Sequence, residues 1–108
     1  MISEQIIREA VDRLKAAAPD ATIIMFGSRA RGEQGEASDL DLMVIEPVVT
    51  ARRAEMVRLS DVLDPLDIPV DILVVSRKNF DEWRDVKGTV IYRAAKEGRV
   101  LYAPSQAA

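Results

Sequence analysis

The alternation of apolar and polar positions divides the first half of the chain into one helix and two strands. Residues 3–17 carry apolar side chains at helical spacing, and Ser3 stands where its hydroxyl can cap the first turn. Pro19 ends this helix. Residues 21–26 are almost wholly apolar, which is typical of a short strand buried on both faces. Residues 40–46 predict a second strand, and the short connection favours an antiparallel pairing with the first.

The middle of the chain continues with a helix and a third strand. Pro47 stops the second strand, and Thr50 is predicted to cap a helix over residues 51–63. Residues 69–75, with the sequence PVDILVV, alternate in the manner of a strand. The arginines of the helix are interpreted as a solvated face rather than as ligand contacts: Arg52, Arg53 and Arg58.

The last third of the chain predicts two further helices and a closing strand. Ser76 can cap a helix that carries Phe80, and residues 89–97 predict the final helix. Gly98 is predicted to end that helix in the left-handed conformation, and residues 99–102 form a small closing strand. Three aromatic side chains are interpreted as core or rim positions rather than as base-stacking groups: Trp83, Tyr92 and Tyr102.

This order of elements predicts the class of fold. A helix, two strands, a helix, a strand and then helices form an α+β domain, with a small mixed α/β sheet and helices packed mainly on one face. The chain has 108 residues, which suffices for one domain. We expect a single domain over residues 1–108, with residues 104–108 as a frayed tail.

Composition and charge limit the chemistry. The net charge of −3 argues against a broad basic face, so we expect no direct binding of nucleic acid. The chain has no cysteine and no histidine, which excludes disulfides, thiolate metal sites and histidine bases. Acid–base or metal chemistry must therefore use carboxylates. No signal-like segment or apolar run of about 18 residues stands in the chain, so we expect a cytoplasmic protein without membrane contact.

A pair of carboxylates in the second strand provides the first candidate site. Side chains alternate along a strand, so Asp39 and Asp41 point to one face while Leu40 and Leu42, followed by Val44, point into a core. At roughly 6–7 Å the two charges repel by about 2–3 kcal/mol, with an effective dielectric constant of about 20. A hard divalent cation would relieve this repulsion, and Mg²⁺ commonly binds one or two carboxylates together with substrate phosphates.

The segment before this pair is suited to hold such phosphates. Gly27 allows a backbone conformation with positive φ and close approach to a ligand, and Ser28 adds a hydroxyl. The N–H groups that follow can open a short helix, whose N-terminus favours anions, within a loop or one-turn helix over residues 28–38. Arg29 and Arg31 add positive charge. The sequence therefore predicts a phosphate site beside a metal site.

Asp71 is a third candidate carboxylate, because it interrupts the apolar third strand. A charged residue in such a run is costly unless it is paired or bound to a metal ion. On this reasoning alone, Asp71 is either part of the metal site or a member of a buried salt bridge with an arginine.

The spacing of these residues resembles a known signature. Gly27-Ser28, ten residues, and then Asp39-Leu40-Asp41 are similar to the GSx10DxD pattern of the DNA-polymerase-β-type nucleotidyltransferase superfamily. The fuller pattern, GSRARG followed by SDLDLMV, resembles the minimal nucleotidyltransferase (MNT) domains, including MNT antitoxins of HEPN/MNT toxin–antitoxin pairs. The resemblance is strong in this central segment and loose elsewhere.

The resemblance implies a fold, a reaction and roles for individual residues. It implies the nucleotidyltransferase fold and two Mg²⁺ ions held by Asp39, Asp41 and Asp71, with Asp71 also helping to deprotonate the acceptor. It implies ATP as the substrate, with its phosphates held by the cradle of Gly27 and Ser28. Two arginines would neutralise developing charge: Arg29 and Arg31.

The acceptor is not encoded in any residue of the chain. The resemblance implies transfer of AMP from ATP to a hydroxyl side chain of a HEPN-type toxin, with this chain as the antitoxin. One alternative is a non-catalytic, nucleotide-binding partner subunit that neutralises a toxin by complex formation. The intact carboxylate trio argues against it, since a pure binder has no need of the site. A regulatory nucleotide sensor is a weaker alternative.

Overall fold

The structure, a computed structural model, describes residues 2–32 and 39–104. The far part of the predicted loop, residues 33–38, and most of the predicted tail, residues 105–108, lie outside the described residues. Within the described part the strands are β1 (Thr22–Phe26), β2 (Leu40–Glu46), β3 (Val70–Ser76) and β4 (Arg99–Tyr102). The helices are α1 (Glu4–Ala17), α2 (Arg52–Leu63), α3 (Arg77–Trp83) and α4 (Val90–Glu97), with a short 3₁₀ turn at Asp64–Leu66.

The strands form one mixed sheet in the order β3-β2-β1-β4. β2 runs antiparallel to β1, as predicted, and parallel to β3. The parallel pair requires a crossover, and α2 provides it. β4 pairs antiparallel with the other side of β1, which places β1 and β2 in the centre of the sheet. The predicted α+β fold with a mixed sheet is confirmed.

Helices cover both faces of this sheet. The two long helices, α1 and α2, pack on one face, and the core there includes Leu14, Leu59, Leu63, Leu40, Leu42 and Val44. The two short helices, α3 and α4, pack on the other, around Phe80, Ile91, Ala94, Ile24, Met43 and Ile45. Two helices thus lie on each face, whereas the sequence predicted helices mainly on one, and the second helical layer completes the burial of β1 and β2.

Two of the predicted helix ends are wrong. Thr50 does not cap α2, because the helix begins at Arg52, Ala51 occupies the N-cap position and no side chain caps it. Gly98 is extended, with φ −75° and ψ 163°, instead of left-handed. A side chain at Gly98 would collide with the carbonyl oxygen of Ala94 and with the Cγ2 atom of Ile24. Glycine is therefore needed there for close packing of α4 on β1.

Two predicted caps, Ser3 and Ser76, are confirmed, and the structure adds Thr89 as the cap of α4. The hydroxyls of Ser3, Ser76 and Thr89 accept hydrogen bonds from backbone N–H groups three residues later, at 3.0–3.1 Å. These bonds satisfy N–H groups that have no partner within the helix. The three aromatic side chains lie at the rim, with Trp83 exposed and Tyr92 and Tyr102 half-buried. Within the described residues, no helix combines the length and the apolar character needed to cross a membrane.

Candidate active site

The predicted site residues meet at one end of the sheet. Because β1 is antiparallel to β2 and β2 is parallel to β3, the end of β1 lies beside the beginnings of β2 and β3. In this register Phe26 pairs with Asp41, and Asp41 pairs with Asp71. Paired residues on neighbouring strands lie about 5 Å apart, so the two aspartates stand side by side.

The three aspartates share one face, as the alternation predicted. Asp41 has the parity of Met43 and Ile45, which pack under α3 and α4, and Asp39 precedes it by two residues. Asp71 has the parity of Leu73 and Val75 on the same face. Asp39 and Asp71 are exposed and Asp41 is half-buried. The carboxylates therefore lie where the sheet extends beyond the two short helices.

The environment of Asp41 disfavours its charge. Burial, first, and then the negative charges of Asp71 and Asp39 raise the pKa of the Asp41 carboxyl above its usual value. Within residues 2–32 and 39–104, no ion pair includes any of the three aspartates. The chain thus concentrates negative charge at this point without compensating it by a salt bridge, which suits a cation from outside.

The donor set fits Mg²⁺, because all three candidate ligands are carboxylates and this cation prefers oxygen. In the described parts of the chain, no group of three or more acidic, histidine or cysteine side chains is arranged to hold a metal ion. The structure brings Asp41 and Asp71 together by register and Asp39 into their electrostatic field. The two-ion site stays a prediction.

Gly27 joins the phosphate segment to the carboxylates. Its φ of 79° lies in the left-handed region, as predicted for this position. A Cβ atom at Gly27 would collide with the Oδ2 atom of Asp41 and would stand 3.3 Å from its Cγ atom. The backbone at the end of β1 therefore lies directly against the Asp41 carboxylate, and no other residue type fits without a shift.

The segment after Gly27 folds back as a compact turn, in agreement with the predicted loop or single turn. The N–H group of Arg31 donates to the carbonyl of Gly27 at 3.3 Å, and that of Gly32 donates to the carbonyl of Arg29 at 3.3 Å. Ser28 and Arg29 are half-buried, whereas Arg31 is exposed. The turn brings all four predicted phosphate residues to the end of β1.

Glu97 is a site residue that the sequence did not indicate. Its Oε1 atom stands 3.3 Å from the Nη1 atom of Arg31, and both side chains are partly exposed. Glu97 is the last residue of α4, next to Gly98, whose close contact with β1 fixes the end of this helix beside the turn. No local pattern could have revealed a pair separated by 66 positions.

The alternative interpretation of Asp71, a buried salt bridge, is wrong. Asp71 is exposed, and no arginine pairs with it among the described residues. The reason is its position near the start of β3, at the edge of the sheet and outside the cover of α3 and α4. An acid there meets solvent instead of a core, which leaves it available to a ligand.

Known proteins are similar to this chain in sequence and in fold. Residues 5–102 match the nucleotidyltransferase domain family. A protein of Methanocaldococcus jannaschii, named as a putative protein adenylyltransferase, is 39% identical over 71 residues, which cover 65% of this chain and 81% of that protein.

Two solved structures have the same fold at low sequence identity. A chain of a toxin–antitoxin complex with AMP-PNP superimposes with a TM-score of 0.66 at 22% identity, over 92% of this chain and 74% of that one. A chain of the complex between a tri-AMPylated HEPN toxin of Shewanella oneidensis and an MNT antitoxin gives 0.63 at 18% identity, over 93% and 71%. With its sequence match from residue 5 to residue 102, the chain belongs to the nucleotidyltransferase domain family.

Proposed function

We propose that this nucleotidyltransferase transfers AMP from ATP to a hydroxyl side chain of a partner protein, and that the partner is a HEPN-type toxin which the transfer inactivates. The observation that carries the proposal is the meeting of Asp41, Asp71 and Gly27. Asp41 and Asp71 stand in register on parallel strands, and the carboxylate of Asp41 lies against the backbone of Gly27, where the turn begins. This arrangement supports a phosphate site and a cation site side by side.

In the proposed reaction each end of the site has one task. The turn with Gly27 and Ser28 binds the β and γ phosphates of ATP, and Arg31 and Arg29 offset their negative charge. The acceptor oxygen bonds to the α-phosphorus while the bond from that phosphorus to the bridging oxygen breaks, and pyrophosphate leaves. Asp71, at the exposed edge of the sheet, takes the proton of the attacking hydroxyl.

Asp39, Asp41 and Asp71 would hold the two Mg²⁺ ions in this scheme. Bound there, Mg²⁺ would neutralise charge on the triphosphate and favour deprotonation of the acceptor hydroxyl. The environment of Asp41 supports this assignment, because burial, first, and then the negative charges of Asp71 and Asp39 raise the pKa of that carboxyl. Without a cation, the same charges would repel ATP.

The relatives support the choice of acceptor. The relative from M. jannaschii is named for transfer of adenylate to protein, and matching solved chains come from toxin–antitoxin complexes, one with AMP-PNP and one with an AMPylated HEPN toxin. A protein hydroxyl is therefore the acceptor we propose for this chain. The non-catalytic alternative, a subunit that neutralises a toxin by binding alone, is an outcome of the test below.

The experiment combines the purified chain, ATP labelled at the α-phosphate, Mg²⁺ and a purified HEPN-type toxin as the candidate partner. We expect label on the partner, on a serine, threonine or tyrosine, and none when EDTA replaces Mg²⁺. Parallel reactions contain RNA or the chain alone. Label on RNA with the partner unmodified would overturn the proposed acceptor. A stable complex without any label would favour the non-catalytic alternative.

A further inference from the structure

A groove runs along the open edge of β3, between the two helical layers. Its volume is about 290 Å³, and Leu73 and Val75 of the strand form its floor. Arg52, at the start of α2, lines one side, and Trp83 and Val90 from α3 and α4 line the other. β3 is the outermost strand on this side of the described sheet, so the groove is open to a partner.

The groove is the most apolar exposed region around α3 and α4. Trp83 is 47% exposed and Val90 is 38% exposed, and Val86, 42% exposed, lies in the turn between them. Because Trp83 and Val90 are both exposed and line the same groove, they form a patch rather than scattered surface positions. Tryptophan in such a patch is the residue type most often central to protein interfaces.

The groove continues from the proposed acceptor side of the active site. Leu73 follows Asp71 by two residues on the same face of β3, a distance of about 7 Å along a strand. The phosphate turn lies on the opposite side, at the end of β1, with β2 between. A polypeptide that lies in the groove therefore reaches Asp71 without crossing the position proposed for the triphosphate.

The charge of the groove indicates the chemistry of its ligand. The Nε atom of Arg52 donates to the carbonyl of Val74 at 2.9 Å, which fixes the guanidinium in the groove wall. No acidic residue lines the groove among the described residues. One fixed cation beside a largely apolar surface suits a carboxylate next to an apolar side chain, whereas a nucleic acid would need several cations along its backbone.

We propose that this groove docks the acceptor protein, through an apolar side chain seated between Trp83 and Val90 and an acidic residue that binds Arg52. The docked segment then presents its hydroxyl to Asp71. This inference rests on the proposed function, since it takes the acceptor to be a protein. It adds the surface that recognises the acceptor, which is separate from the carboxylates that act on it.

The first measurement uses Trp83 as a reporter, because it is the single tryptophan of the chain. The chain is produced with 5-fluorotryptophan, so that it gives one ¹⁹F resonance, and an unlabelled HEPN-type toxin, the candidate partner, is titrated in without ATP. We expect the resonance to shift and broaden as the exposed half of the ring becomes buried. An unchanged resonance in a complex that calorimetry detects would overturn the inference.

The second measurement compares two valine-to-aspartate variants. Val90→Asp places an acid in the groove at the first position of α4, where an acidic residue favours a helix, so the fold should persist. Val100→Asp makes the same change on β4, at the opposite edge of the sheet, at a side chain that is 58% exposed. We expect Val90→Asp to weaken partner binding at least tenfold and Val100→Asp to leave it within twofold, with thermal melts checking both folds. Equal effects would overturn the inference.

Two further variants separate docking from chemistry. Arg52→Glu should weaken partner binding about tenfold, with the affinity for ATP unchanged. Asp71→Asn should bind the partner like the wild type and fail to transfer AMP. A shift of the ¹⁹F resonance without label transfer by the wild type would refute the proposed catalysis and keep the docking surface. Label transfer without a shift would refute the docking surface and keep the catalysis, and an RNA that shifts the resonance in place of the protein would refute the proposed ligand.

Discussion

The two ends of β2 carry acidic side chains in opposite circumstances. At the C-terminal end of β2, Glu46 lies near Glu55 of α2. Arg58 donates two hydrogen bonds to Glu55, at 2.9 and 2.6 Å. Burial and the neighbouring Glu55 raise the pKa of Glu46 to about 7, while the bond from Arg58 lowers the pKa of Glu55 to about 2. The protein answers this repulsion itself, because Arg58 pairs with Glu55 and the raised pKa of Glu46 favours the neutral form of that carboxyl below about pH 7.

At the beginning of β2 the repulsion is not resolved within the described chain. Asp41 has Asp71 and Asp39 as its charged neighbours, and no guanidinium pairs with any of the three in the described residues. The presence or absence of a paired arginine distinguishes the two acidic clusters. Where an arginine of the chain completes an acidic pair, the cluster is structural. Where none does, at the rim of a sheet beside a glycine turn, a cation and its substrate are the expected completion.

The largest expected effect is the loss of AMP transfer when an aspartate at the beginning of β2 or β3 is changed. Asp71→Asn should lower the rate of AMP transfer by at least 10²–10⁴, the usual cost of losing a general base, and should spare ATP binding. Asp41→Asn should weaken Mg²⁺-dependent ATP binding as well. The matched control is Glu46→Gln, the same change of carboxylate to amide at the other end of β2, which should transfer AMP normally. Near wild-type transfer by Asp71→Asn would contradict the assignment.

The second-largest effect is expected from an alanine substitution at Gly27, with Gly88 as the matched control. Gly27→Ala adds a Cβ atom that meets the Asp41 carboxylate, at a backbone with φ of 79°. Gly88→Ala places the same methyl group at φ of 89° with no atom within 4 Å, so it introduces backbone strain alone. We expect Gly88→Ala to cost about 1 kcal/mol of unfolding free energy and to retain ATP binding. Gly27→Ala should cost more and lose ATP binding, which calorimetry with ATP and Mg²⁺ measures. Equal stability and affinity for the two variants would refute the close packing at Asp41.

The sequence predicted the aspartate cluster at the beginning of β2 and not the Glu46–Glu55 pair at its end, because the two depend on different information. The spacing of Asp39 and Asp41, and the position of Asp71 in its strand, follow from the two-residue repeat of a strand, which is local. The pairing of strands then brings these residues together. Gly27 was predicted from the same segment, through its freedom at positive φ.

The features that the sequence did not indicate all depend on distant packing. Glu46 looked like an ordinary strand end, and its acidic neighbour is brought to it only by the crossover of α2. Glu97 meets Arg31 across 66 positions, and Gly98 is set by the close approach of β1. Thr50 was assigned as a cap from its residue type, and a helix start that shifts by one residue, from 51 to 52, removes that role.

The third effect is a dependence of the free energy of unfolding on pH, which arises from Glu46 and Glu55. The folded state raises the pKa of Glu46 from 4.5 to about 7, so between these values the folded state binds more protons than the unfolded state. The free energy of unfolding therefore falls as pH rises from 4.5 to 7. Glu46→Gln removes this contribution, which we expect to be about 1 kcal/mol after solvent screening. Thermal melts at pH 5 and pH 8 should show the variant gaining on the wild type at pH 8.

Glu55 provides the opposite sign at the same cluster. Its pKa is lowered to about 2 in the folded state, so its contribution is present above pH 4.5 and is lost as the pH falls toward 2. Glu55→Gln should therefore destabilise the protein at pH 7 and matter little at pH 2.5. A wild type and a Glu46→Gln variant with parallel pH profiles of stability would contradict the raised pKa of Glu46.

The smallest effect tests two Arg–Glu pairs against each other, one at each end of the molecule. Arg58 binds Glu55 at two atoms, whereas Arg31 meets Glu97 at a single distance of 3.3 Å with 36% and 46% of the two side chains exposed. An exposed single contact contributes little to stability, so Glu97→Gln should leave the melting temperature unchanged. Its effect should appear in ligand binding, because we expect the triphosphate to bind Arg31, and Glu97 places a negative charge 3.3 Å from that guanidinium. We expect ATP to bind about twofold more tightly to Glu97→Gln at low salt, with the gain fading at high salt as the charges are screened.

In an Arg31→Ala background the gain in ATP affinity from releasing Arg31 should disappear. A twofold weakening of ATP binding by Glu97→Gln instead would mean that Glu97 holds Arg31 in its binding position.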